Sequence, residues 1–267
     1  MQLRTLMAIL ILVAVVRVSL DAQQGRGAAG PPVPQSPQAA APIDLTGYWV
    51  SIVNEDWRWR MVTPKKGDYA SVANLMTPAA RKIADSWDPA TDGSCLAYGA
   101  AALMRMPTRL HITWDDARTL KIETDAGQQT RRFVFDKAAA APAARSLQGF
   151  SMAEWERPTT GRGGPPGGPP GAPPPAAAQG GRGGDLKVVT TNLSGGWLRK
   201  NGIPYSENTT VTEYYDRFAT TGGDQWLVVT TVVSDPMYLT QEFVTSSHFR
   251  REPDAAKWDP TPCRPAN

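Results

Sequence analysis

The sequence predicts a mainly β fold: an antiparallel, up-and-down barrel of about eight to ten strands with one short helix. From Pro107 onward, most segments alternate apolar and polar residues with the period of two that is typical of strands. Short turns separate these segments, as in a meander. A long meander tends to close because closure removes its exposed edges, so we favour the barrel. A two-sheet β-sandwich is the alternative, since strand number alone does not separate the two architectures.

The N-terminal region is predicted to lie outside this domain. Residues 1–22 contain a basic Arg4 and an apolar run from Leu6 to Val16, which suits a signal peptide and is too short to span a bilayer. Residues 23–42, rich in Ala, Pro and Gln, are predicted to be a disordered tether. The barrel domain would then span 43–267, with 158–184 as a disordered Gly/Pro-rich loop insertion. We expect a periplasmic or secreted protein without a stable membrane anchor after signal cleavage.

The first elements of the domain are two predicted strands and the helix. The residues after Gly47 are β-branched and aromatic and indicate a strand, and the alternation from Trp57 to Val62 indicates a second. Thr77 is a favoured N-cap and is followed by Pro at the first helical position. The helix presents one apolar face and ends before Pro89.

A hairpin follows Pro107. Pairing Trp114 with Leu120 and His111 with Glu123 keeps both apolar sets on one face, whereas a slip by one residue would scramble them. The next predicted strands are 130–136, 147–156, 186–192, 209–218, 226–233 and 239–250.

The only two cysteines, Cys95 and Cys263, are predicted to form a disulfide, because an even pair in an exported protein usually does. This bond would attach the C-terminal tail to the segment after the helix. The alternative is a pair of free thiols.

Two resemblances add to this interpretation. Gly47-Tyr48-Trp49 resembles the Gly-x-Trp signature of lipocalins, which implies a lipocalin-like barrel in which Trp49 packs under an arginine near the last strand, Arg250 or Arg251. The runs 149–156, 186–192, 202–207 and 235–238 resemble, in this order, an uncharacterised family of secreted bacterial proteins. That second resemblance implies no particular chemistry.

Composition narrows the classes of partner. The formal net charge of +3 is small, which gives no electrostatic case for nucleic acid. His111 and His248 are the only histidines, and no metal-binding spacing or phosphate-binding loop occurs, so we expect no metal and no cofactor.

Catalytic residues are not defined by a motif. The candidates are His111 facing Glu123 across the hairpin, His248, and Glu213, which shares a face with Val211 and Tyr215. A carboxylate or histidine inside an apolar barrel could act as a general acid or base, whereas one on the outer face would be an ordinary solvated charge.

Ligand-binding candidates are Trp57, Arg58, Trp155 and Tyr215, since tryptophan-rich strands with an arginine suit a small apolar or amphiphilic molecule. Core tryptophans with solvent-facing arginines are the alternative interpretation. We therefore expect an exported lipocalin-like barrel that binds a small, largely apolar ligand. The alternatives are a cofactor-independent isomerase, lyase or hydrolase with a carboxylate/His pair in the barrel mouth, and an envelope interaction or structural protein.

Overall fold

The structure, a computed structural model, describes residues 35–90, 92, 95–156 and 186–263. The predicted signal peptide, most of the predicted tether and the predicted loop insertion at 158–184 lie outside the described residues. The described helices and strands are, in chain order, β1 (Gly47–Ile52), α1 (Trp57–Arg60), α2 (Pro78–Ser86), α3 (Ala100–Leu103), β2 (Arg109–Asp116), β3 (Thr119–Thr124), β4 (Ala126–Gly127), β5 (Thr130–Val134), β6 (Phe150–Trp155), β7 (Leu186–Thr191), β8 (Gly196–Arg199), β9 (Ile203–Tyr205), β10 (Thr210–Ala219), β11 (Gln225–Ser234), β12 (Phe243–Glu252) and β13 (Thr261–Pro262).

Nine strands form a closed barrel in the order β1-β12-β11-β10-β7-β6-β5-β3-β2, with β1 also paired to β2. This confirms the predicted barrel over the sandwich. Eight of the nine neighbouring pairs are antiparallel, and β5 and β6 run parallel. The meander is therefore interrupted once, because the connection between Val134 and Phe150 must return to the end of the barrel where β5 began.

The hairpin of β2 and β3 has the predicted register. Trp114 pairs with Leu120, and His111 pairs with Glu123. The register shifts between Trp114 and Asp116, so a β-bulge accommodates one residue before the turn.

The second predicted strand, Trp57–Val62, is wrong, because Trp57–Arg60 is the short helix α1. Asp56 adopts a left-handed conformation with φ 51°, which breaks the extended chain before the helix. The Arg60 side chain is buried, and its Nε donates to the Arg105 carbonyl at 2.8 Å. Tertiary contacts thus override the local alternation of this segment.

α2 lies where predicted, with the Ala80 N–H donating to the Thr77 hydroxyl, and α3 is an additional short helix.

Large side chains occupy the barrel interior. Trp49, Phe133, Tyr215 and Phe249 are fully buried among aliphatic side chains of the surrounding strands. The two ends of the barrel differ in what covers them. One end, which we call the hairpin end, carries the β2–β3 and β10–β11 turns. The other end is covered by α2, α3, β8 and β9, which pack on the far ends of β10 to β12.

Trp49 packs against an arginine of β12, as the Gly-x-Trp resemblance implies. The guanidinium carbon of Arg251 lies 5.5 Å from the centre of the Trp49 ring, and the two residues pair across β1 and β12. Arg251, and not Arg250, therefore occupies this position.

Candidate functional site

A groove of about 720 Å³ lies on the outside of the barrel, beside β1 and the start of β2. The outer face of β1 forms its base, since Trp49 points inward and Val50 and Ile52 point outward. The Trp57 and Met61 side chains, 65 and 57 % exposed, form one wall. The groove is therefore mostly apolar, with its apolar lining contributed by Val50, Ile52, Val53, Trp57, Met61 and Pro107.

The opposite wall is the C-terminal tail, represented by Asp259 and Thr261. Thr261 pairs with Ala126 in a short parallel sheet of β13 and β4, and its N–H donates to the Asp125 carbonyl at 2.9 Å. Two residues further on, Cys263 forms the predicted disulfide with Cys95, with a Cα–Cα distance of 5.8 Å. The disulfide and the β4–β13 pairing together fix this wall.

The helical wall is held by an ion pair and by a contact to a histidine. Arg60 on α1 donates to Glu55 at 2.7 Å, and the second oxygen of Glu55 lies 3.2 Å from Nδ1 of His248. His248 points outward from β12, because Phe249 beside it is fully buried. His248, a predicted catalytic candidate, therefore contacts Glu55, the residue that pairs with Arg60 in the helical wall of the groove.

The charged side chains in the polar part of the groove pair with one another and with neighbouring backbone groups. Asp125 accepts from the backbone N–H of Arg109 and Ala126 and from the Thr108 hydroxyl, at 2.6 to 2.8 Å. The Arg109 guanidinium donates to Glu252 at 2.9 Å and lies 3.6 Å from Asp125. With two carboxylates beside one guanidinium, this part of the groove offers hydrogen-bonding groups and no excess positive charge.

A belt of buried polar side chains runs round the whole circumference of the barrel, and two of its members, Ser51 and Thr108, also line the groove. Successive members are paired directly, as Glu213 is with Thr231, or are offset by two positions on the next strand. The belt closes where the Ser51 N–H donates to the Thr108 carbonyl at 3.0 Å. Its members are, in order, Ser51, Ser247, Thr231, Glu213, Thr190, Ser151, Arg131, Thr124 and Thr108.

A buried ion pair lies in this belt. Nη1 and Nη2 of Arg131 donate to the two oxygens of Glu213 at 2.8 and 2.6 Å, and Nη2 also donates to Thr190 at 3.0 Å. Burial alone would lower the pKa of Arg131, but the charge of Glu213 raises it above its usual value. Burial and the same carboxylate raise the pKa of the Tyr215 hydroxyl. Both Glu213 oxygens therefore accept from Arg131, and the carboxylate is held as a buried ion pair.

The belt makes the barrel interior unsuited to an apolar molecule. Besides the ion pair, the hydroxyls of Ser51, Thr231 and Ser247 are buried and have no hydrogen-bond partner among the described residues. Placing hydrocarbon against such groups leaves their hydrogen-bonding capacity unmet, which is unfavourable. The groove is the better apolar site.

The structure does not gather the predicted catalytic residues into one place. His111 and Glu123 face each other on the outer surface of β2 and β3 with 3.4 Å between Nδ1 and Oε2, and the His111 ring stacks on Tyr48 at 4.3 Å. Glu213 is inside the barrel, and His248 is on the outer face of β12.

The four predicted ligand-binding residues are also dispersed. Trp57 lines the groove, whereas the exposed Arg58 reaches Asp68 at 3.4 Å. Trp155 lies at the hairpin end, where its Nε1 donates to the Pro37 carbonyl at 2.8 Å. Tyr215 is buried in the barrel.

Sequence reasoning missed Met61, Pro107 and Arg109 in the groove and Arg131 in the belt. Arg131 had a usable signal, because alternation places it on the same face as Phe133. The groove residues had no such signal in the sequence, since they come from separate segments that only the fold brings together.

Comparison with known proteins gives no match: no family model, no curated protein and no solved structure is significantly similar to this chain.

Proposed function

We propose that this protein is an exported binding protein that holds a small, largely apolar molecule in the groove beside β1. The observation that supports this most is the pair of exposed side chains, Trp57 and Met61, on the wall of a groove of about 720 Å³. That volume falls within the range of about 300–1,000 Å³ usual for small-molecule sites. The proposed ligand lies against the outside of the barrel, unlike the interior ligand of the lipocalin-like prediction.

The walls favour hydrocarbon or aromatic surface on the ligand. An exposed tryptophan offers a large flat apolar area with little conformational entropy to lose, and methionine adapts to irregular shapes. A ligand that covers this surface removes apolar area from water, which contributes a favourable free energy of about 25 cal/mol for each Å² removed.

The polar groups of the groove favour an uncharged hydrogen-bonding end. Arg109 is already paired with Glu252 and Asp125, and Asp259 adds a further carboxylate to the lining. An anionic ligand would meet more negative than positive charge here, so a hydroxyl, amide or aromatic amine end group fits better.

Export is part of the proposal. The Cys95–Cys263 disulfide supports it, because such bonds persist in oxidising compartments. Within the described residues, the helices are all too short or too polar to cross a membrane.

Binding is tested with N-phenyl-1-naphthylamine, an uncharged aromatic amine whose fluorescence rises in apolar surroundings. We expect saturable binding to the mature chain at one site. Trp57→Ala should raise the dissociation constant at least about tenfold, since truncating a tryptophan that anchors a contact commonly has such an effect. Met61→Ser should also weaken binding.

The matched control is Phe218→Ala, which removes another exposed aromatic side chain in the β10–β11 hairpin, away from the groove. It should leave the dissociation constant unchanged. The proposal fails if the dye does not saturate, or if Phe218→Ala weakens binding as much as Trp57→Ala does.

A further inference from the structure

Three buried arginines from distant parts of the chain meet behind α1. Arg60 belongs to α1, Arg105 follows α3, and Arg199 ends β8. Their exposed fractions are 5, 7 and 3 %. Arg60 and Arg105 are in direct contact, because Nε of Arg60 donates to the Arg105 carbonyl. Arg199 and Arg105 are linked through Asp56, which lies 3.8 and 2.9 Å from them.

Negative charge in this cluster falls short of the positive charge. Glu55 pairs with Arg60 at 2.7 Å, and Asp56 is shared by Arg105 and Arg199. Asp68 also attracts Arg199, but it is shared with the exposed Arg58 at 3.4 Å and accepts from Trp59 at 3.1 Å. Three carboxylates, Glu55, Asp56 and Asp68, therefore face four guanidinium groups, those of Arg58, Arg60, Arg105 and Arg199. His248 also contacts Glu55.

The cluster also holds unused donors. Nη2 of Arg60 and both Nε and Nη1 of Arg199 are buried and have no hydrogen-bond partner among the described residues. The remaining nitrogen of Arg199, Nη2, donates to the Ser71 hydroxyl. Buried N–H groups of a charged side chain are costly to leave unpaired, so they indicate a missing acceptor.

The pKa shifts agree with a shortage of negative charge. Burial, reinforced by the charge of Arg105, lowers the pKa of Arg199 to about 10. Burial also lowers the pKa of Arg60, and Glu55 offsets this effect only in part. An additional anion would oppose both shifts.

We propose that the cluster of Arg60, Arg105 and Arg199 binds a small tetrahedral oxyanion of the phosphate or sulfate class. Guanidinium groups present planar forks of N–H donors that match the oxygens of such anions. One bound anion would reduce the surplus positive charge and supply an acceptor for unused nitrogens of the cluster. This site is separate from the apolar groove, although α1 carries residues of both.

The test measures inorganic phosphate binding to the mature chain by isothermal titration calorimetry and by melting temperature, with chloride replacing phosphate at constant ionic strength. Wild-type protein should bind phosphate saturably and melt at a higher temperature in phosphate than in chloride. Arg199→Gln should raise the phosphate dissociation constant at least about tenfold, because it removes a charge and unused donors. Sulfate should compete.

The matched control is Arg118→Gln, which alters an exposed arginine in the β2–β3 hairpin that pairs with Asp136 at 3.7 Å. It should bind phosphate as wild type does. If Arg199→Gln does not fold, Arg105→Lys provides the second test, since lysine retains the charge but lacks the planar fork. It should also weaken phosphate binding.

Three results would overturn the proposal: no saturable phosphate binding by wild-type protein, equal melting temperatures in phosphate and chloride, or equal weakening by Arg118→Gln. Binding of acetate with no binding of phosphate would contradict the tetrahedral class. Trp57→Ala should keep its phosphate affinity, so failure of the groove proposal and failure of this one are distinguishable.

Discussion

Arg131 and Glu213 form a bidentate ion pair inside the barrel, joining β5 to β10 across its interior. Both side chains have no exposed surface. The pair is surrounded by Thr190, which accepts a third hydrogen bond, and by the aromatic ring of Phe133, whose centre lies 4.9 Å from the guanidinium carbon. Such a pair contributes little net stability against apolar residues, but either partner alone is costly to bury.

The first prediction concerns this pair. Glu213→Leu should lower the free energy of unfolding by about 3–5 kcal/mol, because it leaves the Arg131 charge buried without a partner. The double variant Arg131→Met/Glu213→Leu should lose less than Glu213→Leu alone. Urea unfolding followed by tryptophan fluorescence measures both. The single variant Arg131→Met completes the comparison: a loss in the double variant equal to the sum of the losses in Arg131→Met and Glu213→Leu would contradict this account of the pair.

The second prediction concerns alkaline pH. Burial raises the pKa of Tyr205, burial and Glu213 raise that of Tyr215, and burial with the Asp85 hydrogen bond raises that of Tyr69 to about 12. Because the folded-state pKa exceeds the unfolded value of about 10, stability is fully present below that pH and is lost as pH rises towards the folded pKa. Each tyrosine can contribute a slope of up to about 1.4 kcal/mol per pH unit.

Tyr205→Phe isolates one of these contributions. The Tyr205 hydroxyl is buried and has no hydrogen-bond partner among the described residues, so its removal breaks no hydrogen bond. The variant should be at least as stable as wild type at about pH 8 and more stable by about 1 kcal/mol at about pH 11. Parallel pH profiles of unfolding free energy for the two proteins would refute this prediction.

The third prediction links the disulfide to the groove. Cys95 and Cys263 are 168 residues apart in sequence, so the chain-entropy model gives about 5 kcal/mol for the bond. The double variant Cys95→Ser/Cys263→Ser should lose stability of that order and should bind N-phenyl-1-naphthylamine more weakly, since the tail wall is released. A reductant should weaken the wild type in the same way and leave the double variant unchanged. Unaltered dye affinity in the folded double variant would mean that the tail is not part of the site.

The fourth prediction concerns Gly47, which has φ +113°. A Cβ atom at this position would lie 3.0 Å from Nη2 of Arg251, the arginine that covers Trp49. Gly47→Ala should lower the free energy of unfolding by about 1–3 kcal/mol, through backbone strain and displacement of Arg251. Gly222→Ala, where the nearest atom is 3.8 Å away, is the control and should change stability little in the same urea titration. Equal effects of the two substitutions would argue against this role of Gly47.

Local pattern determined much of the barrel. Leu110 and Ile112 alternate with Arg109 and His111, so the buried face and the pairing of His111 with Glu123 follow from a period of two, because a slipped register would place apolar side chains in water. The cysteine pair was equally accessible to sequence reasoning, since the chain has only two cysteines.

The tertiary structure alone decided the candidate sites. Trp57 to Arg60 alternates as a strand would, but the segment forms a helical turn in which Arg60 is buried and donates to the Arg105 carbonyl. The groove walls at Trp57 and Thr261 lie about 200 residues apart in sequence and meet through the disulfide and the β4–β13 pairing. Arg60, Arg105 and Arg199 share no motif. Alternation fixes which way a side chain faces along its own strand, whereas long-range packing fixes which distant side chains it meets.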